Sequence, residues 1–310
     1  MDSNRKIVLV TQRTRLEDLI RRYNTYGQAE FYISHNGGDF VDYRLEHETY
    51  HIAVQTALSA LQTFGRVQVL DRDFIPNYLF GKQDIVVALG RDGLVANVLK
   101  YLKDGQSLIG VNPDPKRWDG QLLPFLPEDL SNILPEVIRE SRNAQSITLA
   151  QAALNDGQVL WAVNDLFIGR RSHASAQYEI QHGTAQEVQS SSGVIVSTGL
   201  GATGWLKSVL AGAAGIARFC GISAPIELNP PFDRSAPMLY YTVREPYPST
   251  STGATMVFGR ITKKTPLQMV SQMPENGVIF SDGMEQDYLQ FNSGAVVTIG
   301  VADQKGYLVI

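Results

Sequence analysis

The sequence predicts an α/β plus β protein, with an N-terminal doubly wound parallel-sheet domain and a C-terminal, mainly antiparallel β domain. Three observations carry this. In the first half, short apolar runs alternate with helical patterns. From about Ala144 strand-like runs follow one another closely, with Asn155-Asp156-Gly157 as a hairpin turn signal. A length of 310 residues favours two domains, each able to bury a core. The boundary is placed near residue 143, giving domains 1–143 and 144–310.

The elements can be read in order. Lys6–Thr11 (KIVLVT) is an apolar run suited to a parallel strand buried on both faces. Thr14 and Glu17 make a Thr-x-x-Glu capping box, opening a helix to about Thr25. A second helical pattern runs from about Tyr43 to Phe64. Strands RVQVLD and DIVVALG, a helix over Leu94–Leu102 and a strand over Ser107–Asn112 follow. Pro113, Pro115, Pro124, Pro127 and Pro135 punctuate the exit from this region. Beyond it, SITLAQAAL, QVLWAVNDLFI, AQYEIQ, AQEVQS and GVIVST read as strands. One helix interrupts them, from Thr203 to about Phe219, with Gly221 as its stop.

Composition narrows the function classes. Hydrophobic residues make up 44% and charged residues 19%, an ordinary soluble globular balance. A net charge of −4 argues against a general nucleic-acid binder. The single cysteine, Cys220, makes no internal disulfide and suits a reducing, cytoplasmic setting. The N-terminal MDSNRKIVLVTQ has too short an apolar run for a signal peptide or membrane span, and lacks the look of a transit peptide. Small-molecule partners are expected, with neither nucleic acid nor membrane.

The chemistry is sharpest at Gly90-Arg91-Asp92-Gly93, directly after the strand DIVVAL. Ligands of open α/β sheets bind at the carboxyl ends of strands. Glycines let backbone approach a phosphate, and the following helix start offers N–H groups and a partial positive charge. Asp92 can take a proton from an attacking hydroxyl or hold a metal. A plain βα turn would use the same residue types. With this loop, residues 1–143 become a Rossmann-like domain carrying a phosphate loop.

Several separated segments carry a resemblance. They are Gly90-Arg91-Asp92-Gly93, LIGVNPDPKRWDGQL, Asn164-Asp165, Ser197–Trp205 (STGLGATGW) and Asp282-Gly283-Met284, in that order. The sequence resembles the NAD kinase family, most closely its mitochondrial-type branch, through the Asp-Pro extension. That family shares its fold with diacylglycerol and sphingosine kinases. The resemblance implies transfer of the ATP γ-phosphoryl to the 2′-hydroxyl of NAD, giving NADP. It also implies Mg²⁺ and a homodimer or higher homo-oligomer, with residues 144–310 as the NAD-binding domain. By position it makes Asp92 the general base or metal-linked carboxylate, and Gly90, Arg91 and Gly93 the phosphate loop. Asn164 and Asp165 would meet ribose or adenine of NAD, and Thr203, Gly204 and Trp205 would line the adenine pocket. Ser175 and Tyr178 are further candidates for lining it, or else part of an exposed strand edge. Ser192 and Asp282 complete the candidates, although Asp282-Gly283 also reads as a hairpin turn. An Asn-Asp pair suits a ribose diol, and an aromatic wall suits adenine.

The departures from that family matter. Arg91 replaces a glycine, Leu94 a threonine, Leu200 a hydroxyl residue, Asp165 a glutamate and Met284 a glutamine. If position 91 needs φ > 0, a side chain there costs about 1–2 kcal/mol. Two readings of Arg91 stand. Its guanidinium forks onto phosphate and the kinase works; or it pairs with Asp92, or fills the phosphate space, and the chain binds nucleotide without transfer. A kinase of another acceptor, a lipid or a sugar, is a third alternative.

Two motifs remain. His47-Glu48-Thr49-Tyr50-His51 fits His-Glu-x-x-His, which on a helix puts both histidines on one face. The usual downstream third ligand is missing, because no glutamate occurs between Glu48 and Glu128. A solvated helix face is therefore expected, with no metal-binding cluster of protein side chains; Mg²⁺ would arrive with nucleotide, held by Asp92 if by any residue. HNGGDF (His35–Phe40) looks phosphate-like but is read as a loop before no strong helix start.

Overall fold

The computed structural model describes residues 5–102, 105–222 and 232–310. They form two compact units: Met1–Gln145 with Tyr307–Ile310, and Ser146–Gly306.

The first unit contains, in order, β1 (Lys6–Thr11), α1 (Arg15–Tyr23), α2 (Tyr26–His35), α3 (Phe40–Gln62), β2 (Arg66–Asp71), β3 (Ile85–Leu89), α4 (Asp92–Leu99), β4 (Ser107–Val111) and α5 (Leu130–Ile138). Its strands pair in parallel in the order β2-β1-β3-β4. Every residue of β3 is buried, as expected of a central strand covered on both faces. Ala53, Ala57 and Leu61 of α3 and Leu130 and Leu134 of α5 pack on Leu9, Val87 and Ile109. The chain turns back between β1 and β3, so their carboxyl ends flank a topological switch point.

Helix boundaries follow their caps. Both halves of the Thr14–Glu17 capping box form at the start of α1. Asn24 then adopts φ 68° and ends the helix. Thr25, expected as its last residue, instead caps the separate helix α2 by accepting the Gln28 N–H. HNGGDF also differs from expectation, because Asp39 accepts the N–H groups of Val41 and Asp42 and opens the long helix α3.

The second unit contains most of β5 (Ala144–Leu154), then β6 (Val159–Ala162), β7 (Asp165–Arg170), β8 (Ala176–His182), β9 (Ala185–Ser191), β10 (Val194–Ser197), α6 (Trp205–Phe219), β11 (Met238–Val243), β12 (Phe258–Thr262), β13 (Leu267–Ser271), β14 (Gly277–Ser281), β15 (Met284–Gln290) and most of β16 (Val296–Val309). One antiparallel sheet runs β12-β11-β10-β7-β14-β15. Another orders β16-β13-β8-β9, with β5 joining β16 and β6. Ile168, Val196, Leu239 and Ile279 of the first share a core with Tyr178, Ile180, Met269 and Val297 of the second. Leu206 of α6 packs on Met238 and Tyr240. The Asn155-Asp156-Gly157 turn joins β5 to β6, with Gly157 at φ 90°.

The C-terminal residues depart from the expected 144–310 domain. Tyr307 and Leu308 add in parallel beside Ser107 and Leu108 of β4, so the last four residues belong to the first unit. Among the described residues no helix is long and apolar enough to cross a membrane.

Candidate functional site

In the first unit the glycine-flanked loop leaves β3 at the switch point. Gly90 donates its N–H to Val111 O at 3.2 Å. A Cβ there would stand 2.8 Å from Leu94 Cδ2 and 3.1 Å from Gln12 Cδ, so the chain has no room for a larger residue without movement. Gly93 is exposed, and a Cβ there would have nothing within 4 Å.

Arg91 occupies the cap position of α4 with φ −103° and ψ 166°. That is ordinary extended backbone, so the strain expected for a non-glycine residue does not arise. Its guanidinium lies over the Trp118 ring at 5.1 Å from the centroid, and no Arg91–Asp92 ion pair forms among the described residues. The segment after β4 brings this partner in. Asn112 Nδ2 donates to Trp118 O at 3.0 Å, and Leu122 N–H donates to Asp92 Oδ1 at 2.8 Å. Asp92 therefore spends one carboxylate oxygen on positioning and keeps the other. Arg91, Gln12, Tyr50 and Trp118 share a cavity of only about 10 Å³. Leu94, where a threonine hydroxyl would have faced the helix start, is buried in the core.

In the second unit a cavity of about 280 Å³ is lined by Asn164, Asp165, Phe167, Trp205, Phe280, Ser281, Asp282, Gly283, Met284 and Glu285. Its polar end is held by backbone. Asp282 and Gly283 have φ 53° and 67°, the pattern of a type I′ turn joining β14 to β15. This turn aims the Asp282 carboxylate at the N–H groups of Val163, Asn164 and Asp165, the tightest being Asn164 at 2.7 Å. Thr198 adds its N–H to Asn164 O at 2.9 Å and its hydroxyl to Val163 O at 2.5 Å. The Asn-Asp pair is thereby fixed at the break between β6 and β7.

Asp165 is electrostatically unusual. Its Oδ1 is buried with no hydrogen-bond partner among the described residues. Burial pushes the carboxyl up to about 7; the Ser197 hydroxyl opposes this, and the Asp282 charge adds to it. Near neutral pH the group is thus poised to donate as well as accept a hydrogen bond.

The apolar wall is an aromatic row. Trp205 stacks on Phe167 at 5.7 Å and 17°, and Phe167 on Phe280 at 6.4 Å and 17°. Phe280 meets Tyr288 at 5.9 Å. Register explains the row, because Phe167 pairs directly with Phe280, and Phe280 with Tyr288. Arg244 sits over Trp205 at 5.4 Å and Arg171 over Tyr288 at 4.2 Å.

The fold thus gathers Asn164, Asp165, Trp205 and Asp282 around one cavity. Tyr178 is a correction: it is 0% exposed, and its hydroxyl bonds Gln189 and Ser191, so it belongs to the core. Ser175 is exposed just before β8 and lines no part of this cavity. Ser192 bonds Glu245, beside the Arg244 that covers Trp205. Thr203 and Gly204 form the exposed turn leading into α6, outside the lining. Phe167 and Phe280 escaped notice in the sequence; their alternation on β7 and β14, with buried Leu166, Ile168 and Ile279, was the available signal. On the His-Glu-x-x-His face, Glu17 of α1 joins His47 and His51 of α3, their ligand atoms all within 4.8 Å of one another.

No protein-family model matches the sequence. No curated protein matches it either. Solved structures do. An NAD kinase from Archaeoglobus fulgidus, in complex with ATP, is similar over 98% of this chain and 93% of its own, with a TM-score of 0.56 and 15% identity. Yeast NADH kinase complexed with NADH is similar over 98% of this chain and 83% of its own, with a TM-score of 0.58 and 13% identity. The chain therefore has the two-domain α/β plus β fold of NAD kinase structures.

Proposed function

We propose that this protein is a nucleotide-dependent phosphotransferase that moves the ATP γ-phosphoryl group to the 2′-hydroxyl of NAD, giving NADP. The observation that carries this is the half-engaged Asp92 carboxylate at the start of α4, beside an arginine that leaves it unpaired. A carboxylate so placed can accept the proton of an attacking hydroxyl. Arg91, its guanidinium 5.1 Å from the Trp118 ring centroid, supplies permanent positive charge for phosphate oxygens. In the second unit Asn164 offers an amide and Asp165 a carboxyl of raised pKa, a donor–acceptor set for a ribose diol. The Trp205–Phe167–Phe280 wall suits a base ring. The homo-oligomer, the cytoplasmic setting and the mitochondrial-type branch belong to the same proposal.

Mg²⁺ keeps most of its waters and takes few protein ligands, a demand the single remaining Asp92 oxygen meets. When bound with nucleotide it neutralises charge on the phosphates.

One observation favours a second reading. The cavity around Arg91 measures about 10 Å³, room for one water and not for a phosphate. With Arg91 fixed there, the chain would bind a dinucleotide without transferring phosphate.

The test is NADP formation from NAD, ATP and Mg²⁺ by the purified protein. Transfer is expected, reduced roughly 10²–10⁴-fold in Asp92→Asn and also reduced in Arg91→Gly. An inactive protein that gains turnover in Arg91→Gly makes the arginine a block. NAD binding without turnover in all three supports the second reading, and neither turnover nor binding removes both.

A further inference from the structure

We propose that Glu17, His47 and His51 form a binding site for one divalent transition-metal ion of the Zn²⁺ or Co²⁺ class, clamping α1 to α3. The His-Glu-x-x-His spacing places both imidazoles on one face of α3, ring centroids 4.3 Å apart. The third ligand that the sequence lacks downstream comes from upstream. Glu17 Oε1 lies 3.1 Å from His51 Nε2, while Glu17 Oε2 accepts the Thr14 N–H at 2.8 Å and so fixes the carboxylate.

The outer partners fit a metal site. His47 Nδ1 lies 2.9 Å from the hydroxyl of buried Thr14. With Nδ1–H donating there, Nε2 keeps its lone pair for an ion, the usual arrangement of a metal-bound histidine. Zinc bonds of about 2.0–2.2 Å put tetrahedral ligand atoms roughly 3.4 Å apart. Ligand atoms already within 4.8 Å reach that spacing by small side-chain rotations. Two imidazoles and one carboxylate suit Zn²⁺, Co²⁺ or Ni²⁺ better than Mg²⁺, which prefers all-oxygen shells. His51 is exposed, so an ion can reach the cluster from solvent.

The site is built for binding and not for hydrolysis. Glu48, the residue that His-Glu-x-x-His chemistry uses as a base, is exposed and lies 3.8 Å from Arg44. The ion would tighten a useful place. Thr14 and Gln12 belong to the segment after β1, and Tyr50 of α3 accepts the Gln12 N–H and donates to Leu89 O, next to Gly90.

The test is titration of EDTA-stripped, tag-free protein with Co²⁺ and then Zn²⁺. One equivalent of Co²⁺ is expected to give visible absorption of a low-coordinate nitrogen–oxygen site, displaced by Zn²⁺. Zn²⁺ should also raise Tm by about 3 °C or more. Both signals should weaken tenfold or more in His51→Ala and Glu17→Gln. His51 is exposed and glutamine can still accept the Thr14 N–H, so both variants keep the fold, which circular dichroism checks. Absence of a Co²⁺ signal, or equal binding by wild type and variants, overturns the site.

Discussion

The Asp282 carboxylate accepts the backbone N–H of Asn164 at 2.7 Å, across 118 residues of chain. One hairpin turn thereby holds the polar end of the cavity in the second unit. Replacing Asp282 with alanine leaves three N–H groups short of their acceptor. The expected loss is about 2–4 kcal/mol of stability by urea denaturation, with loss of NAD binding by calorimetry. Asp282→Asn, which keeps one acceptor oxygen, should lose about half as much. Unchanged stability in Asp282→Ala would show that the carboxylate holds nothing.

Asp165 gives a pH signature. Its carboxyl is raised to about 7, so the folded state holds its proton more tightly than the unfolded state. Its stabilising contribution is therefore full below about pH 4 and is lost as pH rises through about 7. Asp165→Asn cannot titrate. It should match wild type at pH 4 and exceed it by roughly 1–3 kcal/mol at pH 8. Thermal melts across that range read the difference, and parallel curves would contradict it.

The aromatic wall predicts a binding signature. Trp205 is 38% exposed and stacked on Phe167, so a base packing there should change its fluorescence. Trp205→Ala should weaken NAD binding about tenfold, from a lost stacking term near 1.4 kcal/mol. Phe280→Ala should act in the same direction. Affinity unaltered in both would move the base elsewhere.

Two glycines should respond oppositely to alanine. A Cβ on Gly201 would stand 2.3 Å from Asn164 O and 2.7 Å from Asp165 Oδ1, so Gly201→Ala should unseat the Asn-Asp pair. A loss of about 2 kcal/mol or more is expected. Gly93 has open space around it, so Gly93→Ala should be neutral or stabilise by up to about 1 kcal/mol. Its cost should appear only as weaker ATP affinity, measured by calorimetry on the folded variant.

Local pattern was enough for most of the architecture. Strand alternation, the Thr14–Glu17 box and the Asn155-Asp156-Gly157 turn are interactions between near neighbours, so composition and spacing determine them. The same holds for the change from βα alternation to antiparallel strands near residue 144. The glycine-flanked loop was legible for the same reason, since a strand end and a helix start are local events. Only tertiary structure decided how these pieces act. It set Arg91 on Trp118 in relaxed backbone, buried Tyr178, aligned Phe167 with Phe280 and desolvated Asp165. It also brought Glu17 to His51. Each of these depends on strand register or helix docking between distant segments, and burial, stacking and pKa follow from neighbours that sequence spacing does not specify.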